Sequence, residues 1–326
     1  METPPVYLHI GLFKTGTSFL QATVFPQLQG VTYYASDAKW LKYIWDMNSR
    51  SPFDLTQWEC PEVPGDGILI SREDLMGSPF HNYSNGGQIL NKLAHDLPRA
   101  RVLVTLRKQD DYVESLYRQH IQTGGVQGVN RFLNFTKGEY GEFTFKNGVT
   151  LDVKELDYLK VVKSLEQTFG RDNITLIPYE LMVRDKARFY GLLAQWLNRD
   201  SIPWEGFEQS GSVNKSISLS GIYLSRFLNR FIGGSEMSGF GLIPEMPGRK
   251  WLLQKHENHK WAGALLILSS KISVRTLVQG GFDKVFYRKG KAVSEKHREA
   301  IMAMHADSNR QLDDRYSLGL KGLGYY

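Results

Sequence analysis

The sequence predicts a layered α/β fold, with a central parallel sheet flanked by helices on both faces. Two observations carry that expectation. Short apolar, β-prone runs alternate with segments of helical period along the whole chain. The first of these runs, Val6–Ile10, passes through a glycine loop straight into a helical pattern, the order of a βα unit.

The elements follow in order. Candidate strands are Val6–Ile10, Val31–Tyr34, Ile68–Ser71, Val102–Leu106 and Ile174–Pro178. Candidate helices begin near Thr17, Gln88, Asp110, Tyr158, Lys186, Ser218 and Ser294. In the last of these, Ile301, Met304 and His305 fall on one side, while Lys296 and Arg298 lie elsewhere. No repeat of fixed period, low-complexity tract or long Pro/Gly/Ser linker divides the chain. Residues 1–326 therefore read as a single domain.

Composition narrows the class. The 326 residues are 41% hydrophobic, ample for a buried core. The lone cysteine, Cys60, leaves no internal disulfide and no cysteine-clustered zinc site. The formal charge of +6 comes from scattered lysines and arginines, with no basic stripe and no nucleic-acid module. Such an excess suits an enzyme that steers an anionic small molecule, and equally an ordinary solvated surface. The start, METPPVYLHIG, lacks the basic and apolar regions of a signal peptide. The longest apolar run near the C-terminus, Trp261–Leu268, is too short to span a bilayer. A cytoplasmic protein without membrane insertion is expected.

The chemistry-bearing stretch is Val6–Leu20, VYLHIGLFKTGTSFL. A strand, a tight loop and a helix start together aim backbone N–H groups at a phosphate. The Walker A pattern needs lysine directly after its second glycine. Here the Gly11-to-Gly16 spacing is kept, but Thr17 stands in the lysine position and Lys14 precedes Gly16. A second motif follows the strand Arg101–Leu106: Arg107, Ser115 and Tyr117 are spaced as R-x-x-x-x-x-x-x-S-x-Y. Arginine at a strand end offers a planar fork to a phosphate dianion. A third stretch, Val213-Asn214-Lys215-Ser216, follows Gly211 and Ser212.

These motifs resemble the sulfotransferases that use 3′-phosphoadenosine 5′-phosphosulfate (PAPS), above all the bacterial and carbohydrate-modifying types. The resemblance spans roughly two-thirds of the chain, and Gln109 departs from it where many members carry proline. It implies a three-layer, P-loop-like fold and transfer of a sulfuryl group from PAPS to a hydroxyl or amine, a carbohydrate among the acceptors. It implies PAPS as donor, adenosine 3′,5′-bisphosphate as product, and no metal. Lys14, Thr15, Gly16, Thr17 and Ser18 would hold the 5′-phosphosulfate, Lys14 also acting in catalysis. Arg107 and Ser115 would hold the 3′-phosphate.

A base must take the acceptor's proton. Ile68–Ser71 runs into Arg72-Glu73-Asp74, in the region where several carbohydrate-modifying relatives place a glutamate. Glu73 is the first candidate, Asp74 the substitute and His120 the next; the plain alternative for Glu73 is a surface pair with Arg72. His9, on the first strand, reads as a core histidine, and His256 with His259 lacks a partner to complete a metal site. Arg288-Lys289-Gly290 resembles the segment with which cytosolic members close over the 3′-phosphate, without the residues around it. Two glycine- and aromatic-rich regions, 124–150 and 233–260, read as walls or lids over an acceptor site, or as surface excursions. The acceptor itself, a small molecule or a glycan, is left open, as is the oligomeric state. Two rivals stand beside this reading: a P-loop kinase or NTPase, disfavoured by Thr17 and by the lack of an acidic strand end for Mg²⁺, and a binding protein without turnover.

Overall fold

The computed structural model describes residues 4–49, 58–81, 83–84, 86–144, 151–210, 217–233, 243–244 and 287–326. Five strands form one parallel sheet: β1 Val6–His9, β2 Thr32–Tyr33, β3 Ile68–Ser71, β4 Arg101–Leu106 and β5 Ile174–Pro178. Their spatial order is β2-β3-β1-β4-β5. Register is continuous across the middle, with His9 opposite both Ser71 and Leu103, and Leu106 opposite Pro178. All five expected strands are present, and the α/β class with a central parallel sheet and flanking helices is the observed one.

The reason lies in the strand composition. Val102, Leu103 and Val104 are fully buried, as are Ile68, Leu69 and Ile70, so both faces of these strands meet side chains rather than water. Burying one such aliphatic side chain stabilises by about 1.5–3 kcal/mol. Trp196 braces the two inner strands β1 and β4, meeting Tyr7 edge-on at 5.5 Å and donating from Nε1 to the Arg101 carbonyl at 3.1 Å.

Helices start where the expected ones do. Asp157 caps Tyr158–Phe169, Asp185 caps Lys186–Trp196 and Ser218 caps Leu219–Leu228, each side chain accepting a first-turn N–H. Gly86–Asp96, Gln109–Gln122 and Glu295–Tyr316 complete the expected set. The helix Ala38–Ser49 and the short Tyr179–Arg184 are additional. The Thr17 helix differs from its pattern: one α turn, Thr17–Phe19, passes into a π segment, Leu20–Val24, and a 3₁₀ turn containing Pro26. In Glu295–Tyr316, Met304 is exposed rather than facing the core with Ile301 and His305. The buried stripe instead runs Arg298, Ile301, His305, Asn309 and Leu312, three of these five polar and therefore hidden from a hydrophobic count.

The chain forms two compact units. The first comprises Met1–Tyr112, Gly138–Val213 and Lys296–Tyr326, and the second Val113–Lys137 and Asn214–Glu295. The sheet belongs to the first. In the second, Glu114 accepts from the backbone N–H groups of Ala292 and Val293 at 3.0 and 2.8 Å, and from Arg118 at 2.7 Å. Among the described residues, no helix is long and apolar enough to cross a membrane.

Candidate functional site

The site is built at the carboxyl ends of β1, β3 and β4, the place where open parallel sheets bind ligands. Beyond His9 the chain still pairs, Ile10 donating to Leu103 at 3.0 Å, and then turns at Gly11. A Cβ there would lie 2.5 Å from Thr105 Oγ1 and 2.6 Å from His9 Nε2, so only glycine passes. Thr15 curls the loop back, donating to the Leu12 carbonyl at 2.5 Å, with Thr105 Oγ1 2.6 Å away. With the Thr15 proton committed to Leu12, Thr105 is the donor in the second contact. Beneath lies His9, its Nδ1 2.7 Å from Ser71 Oγ, while Gln21 donates to the Ser71 carbonyl at 2.8 Å. Burial pulls the His9 imidazole down to about 3, so it packs as a neutral core histidine.

The loop is wound tightly. Lys14 and Gly16 both have positive φ, at 61° and 88°. Gly16 closes the turn against Tyr179 and Met182, whose Cε would stand 2.9 Å from an added Cβ. The Lys14 side chain is half-buried and makes no hydrogen bond among the described residues. Burial lowers its pKa, the nearby Glu73 charge raises it and Arg107 lowers it further. Thr17 Oγ1 is buried with no hydrogen-bond partner among the described residues, whereas Ser18 is exposed.

At the end of β3, Arg72 takes Asp74 rather than Glu73, in a two-pronged bond of 2.7 and 2.9 Å. That leaves Glu73, half-buried in the 3₁₀ turn Glu73–Met76, without a hydrogen bond among the described residues. Burial pushes its carboxyl up to about 7; Asp74 adds to the rise, and Lys14 and Arg72 oppose it. The plain alternative, a Glu73–Arg72 pair, is thereby replaced by an Arg72–Asp74 pair.

At the end of β4, Arg107 donates from Nη1 to the Lys14 carbonyl at 2.7 Å and lies 4.9 Å over the Tyr179 ring. The Tyr158 hydroxyl bonds the Arg107 carbonyl at 2.5 Å, and Lys108 N–H bonds Glu180 Oε1 at 2.9 Å. Gln109 is wholly buried and exchanges amide hydrogen bonds with Asn309.

The first unit thus brings together Lys14, Thr15, Gly16, Thr17, Ser18, Glu73 and Arg107. Lys14 is close enough to both Glu73 and Arg107 to feel their charges. Thr15 spends its hydroxyl on the Leu12 carbonyl and Thr105. Ser115 lies six residues into the helix Gln109–Gln122, half-buried, in the part of that helix that belongs to the second unit. His120, also there, is buried against Phe132 and depressed to about 4 by that burial. Within the second unit, Leu219 N–H donates to the Arg288 carbonyl at 3.0 Å and Arg118 Nη2 to the Gly290 carbonyl at 2.6 Å, so the carbonyls on either side of Lys289 are held.

Tyr158, Tyr179, Glu180 and Asn309 were not singled out in the sequence. Tyr179 was findable, since it follows directly on β5, the strand beside β4. Asn309 had no such signal. The Val213–Ser216 stretch, residues 145–150, Met237, Phe240, Trp251, His256, His259 and Trp261–Leu268 lie outside the described residues. Among the described residues, no group of three or more His, Cys, Asp and Glu is placed to hold a metal ion.

No protein-family model matches the chain, and no curated protein matches it in sequence. Among solved structures it is similar to a sulfotransferase from Alicyclobacillus acidocaldarius, at 16% identity and a TM-score of 0.42, over 65% of this chain and 87% of that one. It is also similar to the sulfotransferase domain of the curacin biosynthetic pathway, at 10% identity and a TM-score of 0.33, over 62% and 77% of the two chains. A mouse sulfotransferase complexed with PAP matches at 12% identity and a TM-score of 0.32, over 81% and 89%.

Proposed function

We propose that this protein is a sulfotransferase that moves the sulfuryl group of PAPS to a hydroxyl or amine acceptor by in-line displacement. One observation carries the reading: Lys14 and Glu73, a cation and a carboxylate from adjacent strand ends, are half-buried, mutually coupled and without hydrogen bonds among the described residues. Buried charges left without partners are unfavourable, and such groups concentrate where a ligand or a reaction completes them.

The residues fit the donor. Its charge calls for cations and hydroxyls, and the first unit offers the Lys14 ammonium, the orphaned Thr17 hydroxyl and the remaining N–H groups of Arg107. When bound, PAPS supplies an activated sulfuryl group and a phosphate able to leave. Lys14 stabilises the negative charge that grows on that side. Glu73, poised near neutrality, accepts the acceptor's proton. Arg107 presents its fork to the 3′-phosphate, and the motif assigns Ser115 to the same group. Asp74 serves poorly as a base, since its two oxygens are held by Arg72.

The test is a pair of measurements. The protein should bind adenosine 3′,5′-bisphosphate without magnesium and in preference to Mg-ATP. Incubated with PAPS and a panel of sugars, phenols and amines, it should yield a sulfated product by mass spectrometry. Preference for Mg-ATP would instead assign it to the phosphoryl-transfer enzymes.

A further inference from the structure

Gln109 stands where the resemblance leads one to expect proline, and the structure shows what that amide does. Its Nε2 donates to Asn309 Oδ1 at 2.8 Å, and Asn309 Nδ2 donates back to Gln109 Oε1 at 3.1 Å. Both side chains are completely buried, so each bond is made away from water and neither amide has a solvent alternative. Asn309 Nδ2 also donates to the Tyr325 carbonyl at 3.0 Å. The Tyr325 hydroxyl donates to Glu180 Oε2 at 2.8 Å, and Glu180 Oε1 accepts the Lys108 N–H at 2.9 Å.

The bonds close a circuit. It leaves the main chain at Lys108, runs through Glu180, Tyr325 and Asn309, and returns to Gln109. Both residues that follow Arg107 are therefore tied to the helix Glu295–Tyr316 and the tail beyond it. Arg298 of the same helix also pairs with Asp110, through a buried bond, and with Asp111 at 3.2 Å. Proline would stiffen this turn through its own ring. Here the stiffness comes from residues some two hundred positions away.

We infer that Gln109, Asn309 and Tyr325 are positioning residues: through this circuit the C-terminal segment sets the direction of Arg107, and with it the discrimination for a 3′-phosphate. The inference rests on the proposed reading of Arg107 as the ligand of that phosphate. None of the three is assigned a contact with the nucleotide. They act because a bidentate guanidinium contact tolerates little misalignment.

The experiment compares the affinities for adenosine 3′,5′-bisphosphate and adenosine 5′-monophosphate in the full-length wild type, Arg107→Ala, Gln109→Met, Asn309→Asp and Tyr325→Phe. Thermal melts report folding. Asn309→Asp keeps the shape but cannot donate to Gln109 or Tyr325, and Tyr325→Phe keeps the ring while losing only the Glu180 bond. Loosening the turn should cut the ratio of the two affinities by about tenfold, while the monophosphate affinity stays near wild type. A loss that was merely structural would weaken both nucleotides alike and would overturn the inference. So would an undiminished ratio in folded variants when Arg107→Ala abolishes it. Should Asn309→Asp not fold, Tyr325→Phe decides by the same criterion. A wild type with no preference for the bisphosphate, or an Arg107→Ala that retains it, defeats the underlying reading instead.

Discussion

The guanidinium of Arg107 donates to the backbone carbonyl of Lys14 at 2.7 Å, so the end of β4 holds the shape of the loop that follows β1. The two cations meet through a main-chain oxygen rather than through their charges. One Arg107 N–H is spent on the loop, and the proposed function gives the rest of the fork to the 3′-phosphate.

Lys14→Ala should lower turnover by about a hundredfold or more while weakening nucleotide binding less. The ammonium is assigned to charge that grows only in the transition state, so its loss falls on kcat. Single-turnover assays with bound nucleotide measured separately check this. A kcat within about tenfold of wild type removes Lys14 from the chemistry.

Arg107→Lys should behave nearly as badly as Arg107→Ala in bisphosphate recognition. Lysine keeps the charge but cannot bond the Lys14 carbonyl, lie over Tyr179 and present a planar fork at once. Ser115→Ala should reduce the same preference by a smaller factor. Competition between the bisphosphate and the monophosphate in titration calorimetry measures both.

Glu73→Gln should cost turnover about a hundredfold and flatten its pH dependence. In the wild type the base must be ionised, so activity should climb with pH and level off above about 7. Stability runs the other way. The folded carboxyl is raised above its unfolded value, so the folded state binds protons more tightly, and this contribution is lost as pH rises through about 7. The glutamine variant should therefore melt higher than wild type at pH 8, and show no such gain at pH 4. An activity profile unchanged by the substitution would falsify the base assignment, and Asp74→Asn, measured in parallel, should leave most activity in place.

Gly16→Ala should destabilise by about 1–3 kcal/mol, because alanine is strained at a φ of 88° and its Cβ would press on Met182. Nucleotide affinity should fall with it, since the loop cannot keep its turn. Chemical denaturation beside a binding titration checks both, and an alanine variant as stable as wild type contradicts the strain.

The sequence by itself determined the sheet and the local pieces from which the candidate site is built. Doubly covered parallel strands read as unbroken apolar runs, and glycine loops and strand-end arginines announce themselves locally, so β1 to β5, the Lys14 loop and Arg107 were all legible. Tertiary structure decided the rest, because the remaining properties depend on neighbours distant in the chain. Glu73 and Asp74 are alike as a sequence, and only the folded turn gives Asp74 to Arg72 and leaves Glu73 without a hydrogen bond among the described residues, its pKa raised to about 7 chiefly by burial. In the helix Glu295–Tyr316, His305 is buried on the side of Ile301 as the pattern suggests, whereas the exposed Met304 and the buried Arg298 depart from it, and Asn309 is buried as well. Those polar groups are buried because each finds a partner in an element far away in sequence: Asp110, the Val153 carbonyl and Gln109. A period of apolar residues records which face avoids water, whereas a buried hydrogen bond requires both partners to be in place, and only the fold supplies the second one.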